Sequence, residues 1–134
     1  MSDEQTVAAE RLYGAMAAKD PAAILAALHE EFIGDVSAGM PLGVGGRHEG
    51  PQAMLGDVWG PIFRAYEVSV DVDEYLRAGT DRVVAVGTYR GRERETGRPL
   101  DAAFAHVLAI RDGRVSALAQ ITDTRAWLED VGAR

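Results

Sequence analysis

The stretch from Pro99 to Thr124, PLDAAFAHVLAIRDGRVSALAQITDT, constrains the fold of this chain more than any other. Phe104, His106, Leu108 and Ile110 alternate with Ala103, Ala105, Val107 and Ala109, and a second run from Val115 to Thr122 repeats the pattern after Asp112-Gly113. A period of two marks extended strands, and Asp-Gly between two such runs marks a hairpin, because both residues tolerate positive φ. Neither run has a wholly polar face. Both sides of the hairpin are therefore expected to be covered, one by helices and the other by loops or a partner subunit. His106, Gln120 and Thr122 interrupt this apolar pattern, and a polar side chain on a covered strand needs a partner or a task.

Turn geometry decides which way His106 faces. A two-residue Asp112-Gly113 turn pairs Ala105 with Gln120 and sends His106 to the opposite face. A three-residue loop that includes Arg111, with Gly113 making a bulge, pairs His106 with Leu118 and puts it on the Gln120 face.

Upstream, Ser2 with Gln5 has the form of a capping box, predicting a helix to about Ala18 with an apolar stripe of Val7, Ala8, Leu12, Ala15 and Met16 and with Tyr13 at its border. Asp20-Pro21 predicts a second helix, Asp as cap and Pro at the first position. A short strand over Phe32–Ser37 carries Asp35 among apolar neighbours. The loop from Ala38 to Gly50 holds five glycines, but their spacing fits neither a P-loop nor a dinucleotide fingerprint. Its His48 reads as an exposed rim residue. Pro51 opens a third helix containing Trp59, which Gly60-Pro61 breaks or kinks. From Tyr66 the period becomes two: one strand to about Leu76 and another from Arg82 to Arg92, where Ala85 and Gly87 leave a hollow with Tyr89 at its wall. Asp123 or Thr124 caps a short last helix through Trp127 and Leu128. The order predicts an α+β fold, with helices segregated to one face of a bent antiparallel sheet.

At 134 residues the chain is read as one domain, 1–134. It has no cysteine, which excludes disulfides and thiolate metal sites, and His29, His48 and His106 show no ligand spacing, so no metal and no cofactor are expected. A net charge of −7 opposes nucleic-acid binding. Arg90, Arg92, Arg94 and Arg98 do cluster, yet Glu93 and Glu95 lie among them, as in a solvated strand end. No apolar run approaches the roughly 20 residues that span a bilayer, so no membrane partner is expected. A soluble, cytoplasmic and unprocessed chain is the expectation.

The order of elements, with GMPLGVGGRHEGPQAM, VGTYRGRERETGRPLDAAFAHVLAIRDGRV and QITDTRAW, resembles the SnoaL-like branch of the nuclear transport factor 2-like superfamily, which also holds ketosteroid isomerases and limonene epoxide hydrolases. The likeness covers nearly the whole chain. It implies a cone-shaped curved antiparallel sheet wrapped by N-terminal helices around an apolar pocket, and a homodimer made through the sheet. The ketosteroid isomerase tyrosine and two aspartates fall at Leu12, Val36 and Ala105, with Tyr13 and Asp35 one position away. SnoaL-type polyketide cyclases pair a histidine on one hairpin strand with an acid on the next. His106 matches the histidine, whereas the acid position carries Gln120.

Such pockets remove a proton beside a carbonyl and stabilise the enolate, which takes one base of tuned pKa and one donor aimed at the oxyanion. The expected catalytic residues are Asp35, His106 and Gln120. His106 serves as base or acid, Asp35 as base if the apolar cone raises its pKa, and Gln120, Thr122 or Tyr89 as donor. Tyr13, Trp59, Tyr89, Leu118 and Thr122 are expected to contact the substrate, a small apolar molecule. The chain then reads as an isomerase, cyclase or hydrolase of the cofactor-free kind, or as a non-catalytic domain that binds an apolar ligand or only dimerises.

Overall fold

The computed structural model describes residues 3–128. Its elements are α1 (Glu4–Ala17), α2 (Pro21–Ala27), β1 (Leu28–Val36), β2 (Gly46–Glu49), α3 (Pro51–Met54), α4 (Gly60–Ala65), β3 (Tyr66–Ala78), β4 (Arg82–Glu93), β5 (Pro99–Arg111), β6 (Arg114–Thr122) and α5 (Thr124–Leu128). The six strands form one curved, unclosed sheet in the order β2-β1-β6-β5-β4-β3. The fold is the α+β arrangement that the chain order predicts. Every pairing is antiparallel except β1 with β6, which run parallel. This departs from a fully antiparallel sheet because β1 and β6 lie far apart in the chain and meet only on folding, so nothing local encodes their direction.

Local chemistry accounts for the helix starts. Asp20 accepts the Ala23 N–H and Pro21 occupies the first position of α2, where no donor is needed. The cap of α1 is Asp3, one residue later than the Ser2 box predicts; Ser2 lies outside the described residues. The Asp3 carboxylate accepts from the Gln5 N–H at 3.1 Å on one oxygen and from the Thr6 hydroxyl at 2.7 Å on the other, and its charge suits a helix N-terminus.

Two elements differ from expectation. The third helix does not break at Gly60-Pro61. Leu55–Trp59 form a π-helical turn joining α3 to α4, in which the Gly60 N–H donates to the Leu55 carbonyl five residues back. Pro61 cannot donate and would crowd the carbonyl four residues before it, and the wider turn relieves that conflict. In the glycine-rich loop, β2 pairs with β1 from Ile33↔Glu49 to Val36↔Gly46. Its four residues, GRHE, carry no apolar alternation from which to read a strand.

The helices cover the inner face of the sheet. Leu12, Phe32, Val83, Leu108 and Val115 are completely buried there. Along β5 the inward set is Leu100, Ala102, Phe104, His106, Leu108 and Ile110. On the solvent side, the arginines at the end of β4 are exposed. Arg90 meets Asp71 at 3.0 Å and Arg92 meets Glu67 at 3.5 Å. Among the described residues no helix is long and apolar enough to cross a membrane.

Candidate functional site

The β5–β6 hairpin turns on Asp112-Gly113 alone, with Arg111 opposite Arg114 and Ile110 opposite Val115. Beyond that the register slips by one residue, so that Ala109 faces Ala117 and His106 faces Gln120. Ser116 is the extra residue of a β-bulge, and its hydroxyl donates to the Ala109 carbonyl at 3.2 Å. The turn is the two-residue one, yet His106 stands on the Gln120 face because the bulge reverses the consequence of that turn.

His106 is 3% exposed, and both ring nitrogens are engaged. The Tyr13 hydroxyl oxygen lies 2.7 Å from Nδ1 and the Tyr89 hydroxyl oxygen 2.5 Å from Nε2. The Gln120 amide N–H donates to the Tyr89 oxygen at 2.9 Å, while its Oε1 accepts from the Ser37 N–H at 3.1 Å. Ser37 follows directly on β1, and its hydroxyl donates to the Gln120 carbonyl at 2.8 Å. Four structural elements thus converge on one chain of hydrogen bonds: α1, the end of β1, β4 and the hairpin.

Tyr89, His106 and Gln120 are the polar part of a narrow slot whose other walls are hydrocarbon and aromatic. Met54, Val58 and Ile62, four residues apart along the α3–π–α4 segment, supply one wall. Val68 and Val70 of β3 supply another, and Met16, Met40, Trp59, Leu118 and Trp127 complete it. Its free volume is about 30 Å³, room for about two waters by the usual measure. Three methionines, the most adaptable apolar side chains, are among its lining residues.

Of the residues expected at the site, His106, Gln120, Tyr89, Trp59 and Leu118 line this slot. Tyr13 does not line it but reaches it through His106. Asp35 is exposed on the outer face, because β1 turns Phe32, Gly34 and Val36 inward and strand alternation sends Asp35 the other way. Thr122 is also a correction. Its hydroxyl donates to the Ala103 carbonyl at 2.8 Å and accepts from the Trp127 indole at 3.2 Å, which leaves it off the slot. The hollow expected over Ala85 and Gly87 is not open at Gly87, where the main chain of β3 at Asp71 and Val72 occupies the place a Cβ would take; Ala85 lies beside His106 in the register. Sequence reasoning passed over Met54, Val58 and Ile62, although their spacing of four was the available signal. Met40 had none.

Burial sets the protonation of the group. It pushes the His106 pKa down to about 3, so the ring is neutral at physiological pH. The same loss of solvent raises the hydroxyls of Tyr13 and Tyr89, the latter lowered slightly in turn by the Gln120 hydrogen bond. The assembly consequently directs hydrogen bonds and resists carrying charge. His106 is a weak base with no ring nitrogen unpartnered, unlike the base of tuned pKa that the sequence suggests. His29 and His48 lie elsewhere: His29 is buried beside Arg111, and His48 bonds the Val44 carbonyl at 2.7 Å. Among the described residues no group of three or more histidines, cysteines or acids is placed to hold a metal ion.

A curved sheet whose inner face is covered by helices around an apolar slot is the nuclear transport factor 2-like fold, and solved structures match it over more than nine-tenths of their length. An NTF2-like protein from Burkholderia thailandensis E264 is 26% identical, with a TM-score of 0.80 over 92% of this chain and 93% of that one. TerC, co-crystallised with polyporic acid, is 24% identical, with a TM-score of 0.83 over 93% and 95%. A protein with a ketosteroid isomerase-like fold from Catenulispora acidiphila DSM 44928, in complex with trimethylamine, is 19% identical, with a TM-score of 0.78 over 93% and 92%. The last two likenesses speak for fold alone. The SnoaL-like domain profile matches residues 9–118, and the chain belongs to that family. A comparison with curated proteins gives no match.

Proposed function

We propose that this chain takes up a small, mostly apolar molecule bearing a carbonyl-type oxygen and acts on it without a cofactor, as an isomerase or cyclase of the ketosteroid isomerase-like kind. The observation that carries this reading is Tyr89, a buried hydroxyl braced by His106 and Gln120 on the wall of an otherwise apolar slot. Carbonyl chemistry needs a donor where negative charge develops, and a fixed donor acts most strongly where water is excluded. A molecule that rearranges or closes on itself also gains from being held in its reactive conformer, and the narrowness of the slot supports that reading. In this scheme His106 and Gln120 act through Tyr89 by orienting it. The proton that leaves the carbon beside the carbonyl passes to a solvent water and returns from water to the enolate, because among the described residues no free base of the chain lines the slot.

A second reading, a non-catalytic binder of the same kind of molecule, is favoured by one observation. Among the described residues no carboxylate lines the slot. Both readings carry a homodimer through the outer sheet face, where Ile121 is 63% exposed, and light scattering in solution tests it.

Trp59 and Trp127 both line the slot, so their fluorescence during titration with small cyclic ketones reads binding. Hydrogen–deuterium exchange beside the ketone carbonyl, followed by NMR, reads turnover. Exchange that Tyr89→Phe lowers about a hundredfold supports the enzyme. Binding without exchange supports the binder, and failure of every ketone to bind overturns both.

A further inference from the structure

The hydrogen-bond chain around His106 has a direction. The Ser37 N–H must donate to the Gln120 amide, which fixes that side chain with its oxygen toward Ser37 and its N–H toward Tyr89. The Tyr89 oxygen therefore already accepts one hydrogen bond. At the other end, the Tyr13 hydroxyl is buried, lines no part of the slot, and has His106 Nδ1 as its single hydrogen-bond partner among the described residues. A neutral imidazole offers one N–H and one lone pair, and these two constraints decide which nitrogen carries which.

If Nδ1 carried the hydrogen, it would donate to Tyr13, and the Tyr13 hydrogen would be stranded in packed interior. A buried donor without a partner is costly. If Nε2 carries it, Tyr13 donates to Nδ1, Nε2–H donates to Tyr89, and both lone pairs of the Tyr89 oxygen are filled. The one hydrogen left over is that of Tyr89, which faces the slot.

We propose that Tyr13, from outside the slot, holds His106 as the Nε2–H tautomer and so turns the Tyr89 hydroxyl hydrogen into the slot, selecting ligands whose polar atom accepts a hydrogen bond over ligands that donate one. Tyr13 is a positioning residue. The inference takes its ligand from the small-molecule reading above, but its hydrogen-bond pattern stands apart from that reading. Ketone and enolate oxygens satisfy the site. An alcohol brings a hydrogen for which the site has no lone pair, since the Tyr89 oxygen is full and the Gln120 oxygen is bound to Ser37.

Long-range proton–nitrogen NMR on the ligand-free, nitrogen-15-labelled protein reads the tautomer of His106 directly. Nε2 is expected to be protonated, and Nδ1 to be a hydrogen-bonded acceptor. Titration with cyclohexanone and cyclohexanol then reads selectivity, expected at roughly tenfold for the ketone. With Tyr13→Phe, either tautomer leaves Nδ1 unpaired, so the two compete and the preference should shrink to within about twofold. A protonated Nδ1 in the wild type, equal affinities for the two probes, or a preference untouched by Tyr13→Phe overturns the inference. The wild-type spectrum decides the tautomer even if the variant does not fold. The expected tautomer with neither probe bound would instead sink the small-molecule reading and leave the assignment standing.

Discussion

His106 lies directly across the hairpin from Gln120, one position out of the register that the Asp112-Gly113 turn alone would set. The offset is the Ser116 bulge. Because of it, Val115 and Leu118, three residues apart, both face inward, as do Gln120 and Thr122 beyond them. Without the extra residue the far half of β6 would present its other face to His106.

Deleting Ser116 therefore tests whether the bulge builds the site. The slip moves Gln120 and Leu118 away from the interior, and the deletion is expected to cost roughly 2–4 kcal/mol of stability. Ser116→Ala keeps the bulge and removes one partly buried hydrogen bond, at about 0.5–1.5 kcal/mol. Urea unfolding of the two variants should separate them. Equal midpoints would mean that register is set elsewhere.

The buried imidazole predicts a particular loss of stability in acid. His106 binds a proton in the unfolded chain near pH 6.5 but in the folded chain only near 3, the lowered value reflecting burial. Its contribution is fully present above about pH 6.5 and is lost as pH falls toward 3, at about 1.4 kcal/mol per pH unit. The carboxylates titrate in this range too. The comparison to make is with His106→Gln, whose stability between pH 6 and pH 4 should fall less steeply by that slope.

Asp35 offers the reverse expectation. It is exposed on the outer side of β1, so Asp35→Asn should leave ketone binding and any turnover as in the wild type, with stability within about 0.5 kcal/mol. Activity lost in this variant, with the fold intact by circular dichroism, would place the chemistry on the opposite face of the sheet.

Gly34 lies directly against Met54, part of one wall of the slot. A Cβ added there would lie 2.6 Å from the Met54 sulfur and 3.2 Å from the Phe32 ring. Met54 is the more flexible of the two and lines the slot, so Gly34→Ala should push it inward. The expected result is a several-fold loss of cyclohexanone affinity with about 1–2 kcal/mol of destabilisation. Unchanged affinity would show that Met54 can retreat another way.

Much of the architecture was legible in the chain because it rests on local chemistry. Asp20-Pro21 and Asp112-Gly113 act within a few residues, and the period of two from Tyr66 onward reports burial directly. What escaped depends on distant partners. The parallel contact of β1 with β6, and β2 riding on β1, are decided by segments that meet only in the folded molecule. At the site, His106, Gln120 and Tyr89 stood out as polar or bulky residues among small apolar ones. The bulge did not, although the two small residues Ser116 and Ala117 between Val115 and Leu118 interrupt the period of two, because small side chains on a strand fit either face. Asp35 failed as a candidate for a related reason: an acid one position from the expected one is, on a strand, on the wrong face.

The unclosed sheet leaves β3, thirteen residues long, with one partner, β4, among the described residues, and so with about every second residue directing its main-chain groups toward the outer border. Such a border can recruit further copies strand by strand. Glu67 and Asp71 are partly neutralised by Arg92 and Arg90, but Asp73 and Glu74 stand exposed at the point where the β3–β4 register shifts. On a chain of net charge −7, these carboxylates and the local distortion keep two borders apart. Neutral amides at both positions, Asp73→Asn with Glu74→Gln, would remove that repulsion and leave the border open to association strand by strand without touching the slot.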